Sequence, residues 1–337
     1  MTDFTKYTRT IKINNASVAE WASIVGKKEG EGPLECDFDY ISEDSHFGQK
    51  TWELAESHMQ SLAVRTLLDK SSLAPADINL IYAGDLLNQC VGSTFGIRDF
   101  GIPFIGMFGA CSTMAESIIQ AAMAIDGHHV ANCIALTSSH FCSAERQFRT
   151  PLEYGGQRPP TAQWTVTGAG AVLISSVEQP PYIAHVTPGK IVDLGVTDVN
   201  NMGAAMAPSA CDTLTAFFND TKTTPSDYDM IVTGDLSSVG TEMLKEQMSD
   251  IGITLGKNYN DCGVMIYTHD QKVDAGGSGC GCSAVVLAGH LLNKMKNRTI
   301  NNLLFIGTGA LMSPTSSMQG ESIPGISHLV HFSMTKS

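Results

Sequence analysis

Ala74-Pro75-Ala76-Asp77-Ile78-Asn79-Leu80-Ile81-Tyr82-Ala83-Gly84-Asp85-Leu86 and Thr224-Pro225-Ser226-Asp227-Tyr228-Asp229-Met230-Ile231-Val232-Thr233-Gly234-Asp235-Leu236 decide the fold, because they are one pattern written twice. Pro, Asp, Ile and the closing Gly-Asp-Leu recur at a fixed spacing without a gap. The same spacing carries Val64, Leu67 and Leu68 onto Leu214, Phe217 and Phe218. Positions i, i+3 and i+4 share one helix face, so each half reads as a helix with one apolar stripe, a Pro-containing turn and a buried strand.

The halves match again further on. Ala110-Cys111-Ser112 opens the apolar segment 114–125, and Gly281-Cys282-Ser283 opens 284–295. Both lead into buried strands, Asn132-Cys133-Ile134-Ala135-Leu136 and Asn302-Leu303-Leu304-Phe305-Ile306. Short apolar runs alternating with helices imply strands covered on both faces, hence a mostly parallel sheet. The expected architecture is a duplicated five-layer α-β-α-β-α sandwich. Its halves span 1–175, with an insertion at about 141–165, and 176–337, packed as one unit. The two central helices lie back to back, with Ala115, Ala121, Ala122, Ala284 and Gly289 small enough to permit it. The glycine-rich stretch 26–32 reads as a loop.

Composition narrows the function classes. The chain has 337 residues, is 43% hydrophobic and only 16% charged, with 32 glycines, which suits a closely packed α/β protein. A net charge of −13 argues against nucleic acid and against unaided docking on anionic lipid. The N-terminal segment is polar and does not read as a signal peptide. The most apolar region, 102–125, is broken by Cys111-Ser112-Thr113, Glu116, Ser117 and Gln120, so no transmembrane segment is expected. Nine cysteines without a CxxC pair point to free thiols in a reducing compartment. Cys280-Gly281-Cys282 and His128-His129 lack a second ligand pair, so no metal site is expected.

Ligands of α/β sheets gather at the carboxyl ends of strands. The residues placed there are Asp85, Ser138, Ser139, His140, Asp235 and the turn Gly307-Thr308-Gly309. Cys111 stands beside them at a helix start, where the dipole favours a thiolate; the alternative is a small buried cysteine in a crowded turn. Arg146, Arg149 and Arg158, three of the seven arginines, fall in the insertion. Guanidinium forks suit a dicarboxylate, unless Glu145 and Glu153 already engage them. Phe141 and Trp164 offer planar faces to a ring or belong to the core. Gly168-Ala169-Gly170-Ala171 lacks the third glycine of a dinucleotide fingerprint and reads as a tight strand approach.

Phe108-Gly109-Ala110-Cys111-Ser112-Thr113, set in this duplication, resembles the thiolase superfamily with its ketoacyl synthases, where the matching cysteine carries the acyl group. Longer strings resemble one branch, the stage V sporulation protein AD family of spore-forming bacteria. They include Ala144-Glu145-Arg146-Gln147-Phe148, Gln157-Arg158-Pro159-Pro160-Thr161-Ala162-Gln163-Trp164 and Asn200-Asn201-Met202-Gly203-Ala204. A ketoacyl synthase also supplies a His and an Asn that polarise the thioester. Their positions fall at Gly234-Asp235 and near Ser278, so the resemblance implies a chain that is not an enzyme, with Cys111 a vestigial nucleophile. It further implies binding of dipicolinate (pyridine-2,6-dicarboxylate), with or without calcium, and no cofactor. The setting implied is the surface of the forespore or spore inner membrane, beside the membrane subunits of a dipicolinate channel. A homodimer is compatible with the fold type. The expected ligand residues are Asp85, Cys111, Ser138, Ser139, His140, Arg146 and Arg158. The alternatives are an acyl transferase using Cys111, or a scaffold with a vestigial cleft.

Overall fold

A computed structural model describes residues 8–148 and 158–336. Arg149 and Glu153 lie outside the described residues. The main strands of the first half are β1 (Ser17–Gly26), β2 (Leu80–Gly84), β3 (Phe104–Gly106), β4 (Asn132–Ser139) and β5 (Gly168–Ser175). Those of the second are β6 (Tyr182–Thr187), β7 (Met230–Thr233), β8 (Tyr259–Asp261), β9 (Asn302–Ala310) and β10 (Gly325–Ser333). Their hydrogen-bonded order is β8-β7-β9-β10-β6-β1-β5-β4-β2-β3, so the second half repeats the order of the first. The halves join where Ser17 pairs with Tyr182.

The repeated sequence makes repeated local structure. The main helices are α1 (Trp52–Ser71), α2 (Thr113–Asp126), α3 (Phe141–Phe148) and α4 (Met202–Thr221), and α1 and α4 each precede a short Pro turn. The Asp77 carboxylate closes the first turn by accepting from the Ala74 N–H at 2.8 Å, and Asp227 closes the second on the Thr224 N–H at 2.7 Å. Asn79 Oδ1 then accepts the Ala131 and Asn132 N–H groups, tying the start of β2 to β4. Asp229 does the same for β7 and β9 through the Asn301 and Asn302 N–H groups.

Strand direction differs from the sequence reading. β2 is parallel to β3 and β4, and β7 to β8 and β9. β5 runs antiparallel to β4 and β1, and β10 to β9 and β6. The sheet is therefore mixed. Continuous apolar runs report burial on both faces, which the helices impose whatever the direction of the neighbouring strand.

Three apolar cores separate the layers. Val64, Leu67 and Leu68 of α1 pack with Ile24, Ile81 and Ile134. Leu214, Phe217 and Phe218 of α4 pack with Ile231, Leu304 and Leu329. Between the halves, Met114, Ile118 and Ile125 of α2 (Thr113–Asp126) meet Val285, Leu287 and Leu291 of the second central helix. That helix runs through Cys280–Val285, a π-helical Val286–Leu291 and Leu292–Lys296. Each such buried side chain contributes roughly 1.5–3 kcal/mol. The tight strand approach is present at Gly170, where a Cβ would stand 2.5 Å from the Ala284 backbone. Gly289 differs from expectation: it faces Phe38 and the Asp37 carbonyl rather than the partner helix.

The stretch 26–32 is not a plain loop. Lys27–Gly30 is helical, and Glu29 is buried, accepting from the Thr167 N–H at 3.0 Å and from the Tyr267 hydroxyl. Among the described residues, no helix is long and apolar enough to cross a membrane.

Candidate functional site

The two Gly-Asp-Leu turns deliver Asp85 and Asp235 to equivalent strand ends, but their carboxylates serve different groups. Asp85 turns back on its own loop, accepting from the Leu87 N–H at 2.9 Å and from the Ser93 N–H and hydroxyl at 2.7 and 2.6 Å. Asp235 reaches towards the centre of the molecule. It accepts from the Ser278 hydroxyl (3.0 Å), the Gly279 N–H (2.9 Å) and the Thr308 hydroxyl (2.7 Å).

Cys111 sits against that cluster, with Sγ 3.9 Å from Ser278 Oγ. A tight elbow puts it there. Ala110 has φ of +52°, a left-handed conformation that costs a non-glycine residue roughly 1 kcal/mol. The elbow is held by the Ser112 hydroxyl on the Gly109 carbonyl (2.7 Å) and the Thr113 hydroxyl on the Ala110 carbonyl (2.6 Å). Around the sulfur, Leu86, Ala144 and Cys280 complete a small apolar cluster. Burial first, and then the Asp235 carboxylate, push the Cys111 thiol well above its ordinary value. The thiolate expected from the helix start is thus not favoured: removal from water and a nearby anion outweigh a dipole worth about 1 kcal/mol.

Cys111 opens onto a cavity of about 70 Å³. That is room for on the order of five water molecules, or about 150 Å³ of liquid, which suits a small organic molecule. Phe108, Phe148, Val199, Met202 and Met312 supply apolar wall, and Glu145, Gln163, Thr165, Asn200 and Ser278 supply polar groups. Gln163 and Thr165 arrive through a short parallel pairing of Trp164–Thr165 with Gly277–Ser278. The Gln163 amide nitrogen donates to the Asp235 carbonyl at 2.6 Å. Its Oε1 is buried and has no hydrogen-bond partner among the described residues.

Of the seven residues read from sequence as ligand contacts, Cys111 lines this cavity. Ser138, behind it, donates to Glu56 at 3.0 Å and accepts from Gln60 at 2.7 Å. Burial, and then the Asp85 charge, push the Glu56 carboxyl up to about 8, against the lowering effect of the Ser143 and Ser138 hydroxyls. The Ser139 hydroxyl donates to the Val166 carbonyl at 2.7 Å and accepts the Gly281 N–H. His140 is turned away: Nε2 meets the Ser45 carbonyl at 2.7 Å and Nδ1 accepts the Cys142 N–H. Burial lowers its pKa, so the ring is neutral. Arg146 lies on Glu53 and over the Trp52 ring. Arg158 reaches Glu145 at 3.3 Å, Asp274 at 3.8 Å and the Gln163 carbonyl, at the edge of the cavity. Phe141 and Trp164 stack on each other, with ring centres 4.0 Å apart. His128 and His129 are exposed, as a surface turn should be.

Sequence reasoning missed Gln163, Thr165 and Asn200. No periodicity marks them, because loop pairing rather than a repeated element turns them towards Cys111.

Three comparisons bear on this geometry. Residues 7–333 match the family model for stage V sporulation protein AD. The stage V sporulation protein AD of Bacillus subtilis (strain 168) is 47% identical over 322 residues, covering 96% of this chain and 94% of that protein. Among solved structures, OleA from Xanthomonas campestris superposes with a TM-score of 0.62 at 13% identity, covering 96% of this chain and 99% of the other. The 3-oxoacyl-[acyl-carrier-protein] synthase III of Aquifex aeolicus gives 0.60 at 12%, covering 94% and 99%. At such identities the structural likeness speaks for the fold alone.

Proposed function

The chain belongs to the stage V sporulation protein AD family, a sporulation family here carried on a thiolase-like fold, and from that premise we propose that it binds dipicolinate without catalysing a reaction on it. The observation that carries this reading is the state of Cys111. Acyl transfer needs a thiolate, and donors aimed at the developing oxyanion. Here burial and Asp235 hold the sulfur as a neutral thiol. Asp235 and Ser278 stand beside Cys111, where the resemblance to ketoacyl synthases leads one to look for a His and an Asn. Burial raises the Asp235 carboxyl, while the Thr308 hydroxyl, Cys111, the Gly279 N–H and the Ser278 hydroxyl pull it back towards its ionised form, and in that form it repels an oxyanion and cannot donate to it.

A neutral thiol, the Ser278 and Thr165 hydroxyls and the Gln163 and Asn200 amides are the furnishing of a binding cavity, apolar on its faces and polar at a few points. Its size supports a single-ring ligand. In this reading Cys111 is a cavity wall, Arg158 a cation at the edge, and Asp85, Ser138, Ser139 and His140 shape the wall from behind. Arg146 acts at the outer surface. The chain works peripherally at the forespore or spore inner membrane, with the membrane subunits of a dipicolinate channel as partners and with calcium entering only alongside the ligand.

The fold likeness to acyl-transferring enzymes, with a cysteine at the head of α2, keeps acyl transfer by Cys111 as a second reading. Intact-mass analysis after incubation with acyl-CoA separates them. The binding reading expects an unmodified chain, and a stable acyl adduct on Cys111 overturns it.

A further inference from the structure

Two carboxyls lie buried in one place behind the cavity. Glu56 of α1 and Asp85 are both wholly removed from solvent. A Cβ at Gly92 would stand 3.1 Å from the Asp85 carboxyl and 3.4 Å from Glu56 Cγ, so both side chains press on one backbone position. Their partners tell them apart. Asp85 accepts from the Leu87 and Ser93 N–H groups at 2.9 and 2.7 Å, and from the Ser93 hydroxyl. A backbone N–H can only donate, so these bonds hold Asp85 as a carboxylate. Among the described residues, Glu56 meets only hydroxyls, Ser138 at 3.0 Å on Oε1 and Ser143 at 2.7 Å on Oε2. A hydroxyl can also accept. Ser143 has a second acceptor for its own proton, the His140 carbonyl at 3.1 Å, so Glu56 can donate to Ser143 Oγ and leave neither group unpaired. No cation among the described residues offsets the two carboxyls, and one proton between them removes their repulsion. Ser143 belongs to α3, and the next two residues, Ala144 and Glu145, line the cavity.

We infer that Glu56 is a positioning residue for the cavity wall: it carries a proton, donates it in a hydrogen bond to Ser143, and so fixes α3 with Ala144 and Glu145 beside the ligand. The ligand's part in this rests on the dipicolinate reading above; the proton on Glu56 does not. Losing that proton to solvent sets a second anion beside Asp85 and reverses the Glu56–Ser143 bond, which slackens the wall.

The test compares the full chain with Glu56→Gln, whose Oε1 can accept from Ser138 and whose NH₂ can donate to Ser143 Oγ at every pH. Glu53, Asp85, Cys90, His140, Arg146 and Cys280 face this region from α1, the turn after β2, the end of β4, α3 and the second central helix. They are the same in both proteins, so the difference isolates Glu56. Urea unfolding between pH 5 and 7.5 reads the proton. An unfolded glutamate loses it above 4.5 and the folded one keeps it to about 8, so the stability it supports is present at low pH and is lost as pH rises. The wild-type unfolding constant should therefore rise almost tenfold per pH unit relative to Glu56→Gln. A ratio that is flat with pH means that Glu56 is ionised in the fold and overturns the proposal. Amide hydrogen exchange of 141–148, corrected for the intrinsic rate, reads the wall. Its protection should fall about tenfold from pH 7 to 9 in the wild type and stay within twofold in Glu56→Gln, with dipicolinate affinity following the same pattern. Equal loss of protection in both proteins overturns the positioning role. Folded protein that binds no dipicolinate overturns the binding reading alone, because unfolding and exchange still decide the part played by Glu56.

Discussion

Replacing Asp235 with Asn should wake Cys111. The thiol lies 3.9 Å from Ser278 Oγ, and that oxygen lies 3.0 Å from Asp235 Oδ2, so sulfur and carboxylate are within about 7 Å. At an effective dielectric of about 20, unit charges roughly 4–7 Å apart repel by about 2–4 kcal/mol. At ~1.4 kcal/mol per pH unit, removing the charge lowers the thiol pKa by roughly 2–3 units. The gain in thiolate is partly offset because a less basic sulfur attacks more slowly, leaving a net rise of roughly 10–50-fold in alkylation rate at fixed pH. The substitution is close to isosteric. Its amide oxygen can still accept from Gly279 and Ser278, and its NH₂ can donate to Thr308 Oγ1, so the stability loss should stay near 1–3 kcal/mol. The assay is iodoacetamide labelling at pH 8 followed by peptide mapping, with the exposed Cys36 as internal reference. A folded Asp235→Asn protein whose Cys111 reacts within twofold of the parent would refute the claim that this carboxylate helps hold the thiol neutral.

Other consequences are open to measurement. Gly170→Ala places a methyl 2.5 Å from the Ala284 backbone and should cost roughly 1–3 kcal/mol in urea unfolding; a neutral result would mean the central helix shifts freely. His331 Nδ1 lies 3.1 Å from His185 Nδ1 across β10 and β6, and burial pushes His331 down to about 3. Because the folded value lies below the unfolded ~6.5, the stability it supports is present above that pH and lost below it. Between pH 7 and 5 the wild type should lose about 2 kcal/mol through this group, a loss that His331→Asn lacks; a wild-type-to-variant difference that does not change with pH contradicts the assignment. Arg158→Ala strips Glu145 of a charged partner and should cost roughly 2 kcal/mol as well as weakening ligand binding. Unchanged binding in that variant would remove Arg158 from the ligand's surroundings.

Most of the fold was legible because the repeat is written in residues with fixed local duties. Pro75 and Pro225 start turns, Asp77 and Asp227 close them, and Asn79 and Asp229 bridge neighbouring strands. The apolar stripes of α1 and α4 followed from helical spacing. What depends on through-space direction was not legible. Equal sequence positions gave Asp85 and Asp235 different partners, because Ser93 satisfies one locally whereas Ser278, Gly279 and Thr308 come to the other from distant segments. His140 was read towards the ligand, yet the Ser45 carbonyl, contributed by a segment without a repeat, captures its ring. Parallel and antiparallel strands, both buried on two faces, share one apolar signature.

The most direct test of the central claim is calorimetric titration of the folded chain with dipicolinate, beside an Ala144→Leu variant that adds three carbons to the cavity wall. The account predicts saturable one-to-one binding by the parent chain and its loss in the variant. Absence of binding in the folded parent, or binding indifferent to the filled cavity, would contradict it.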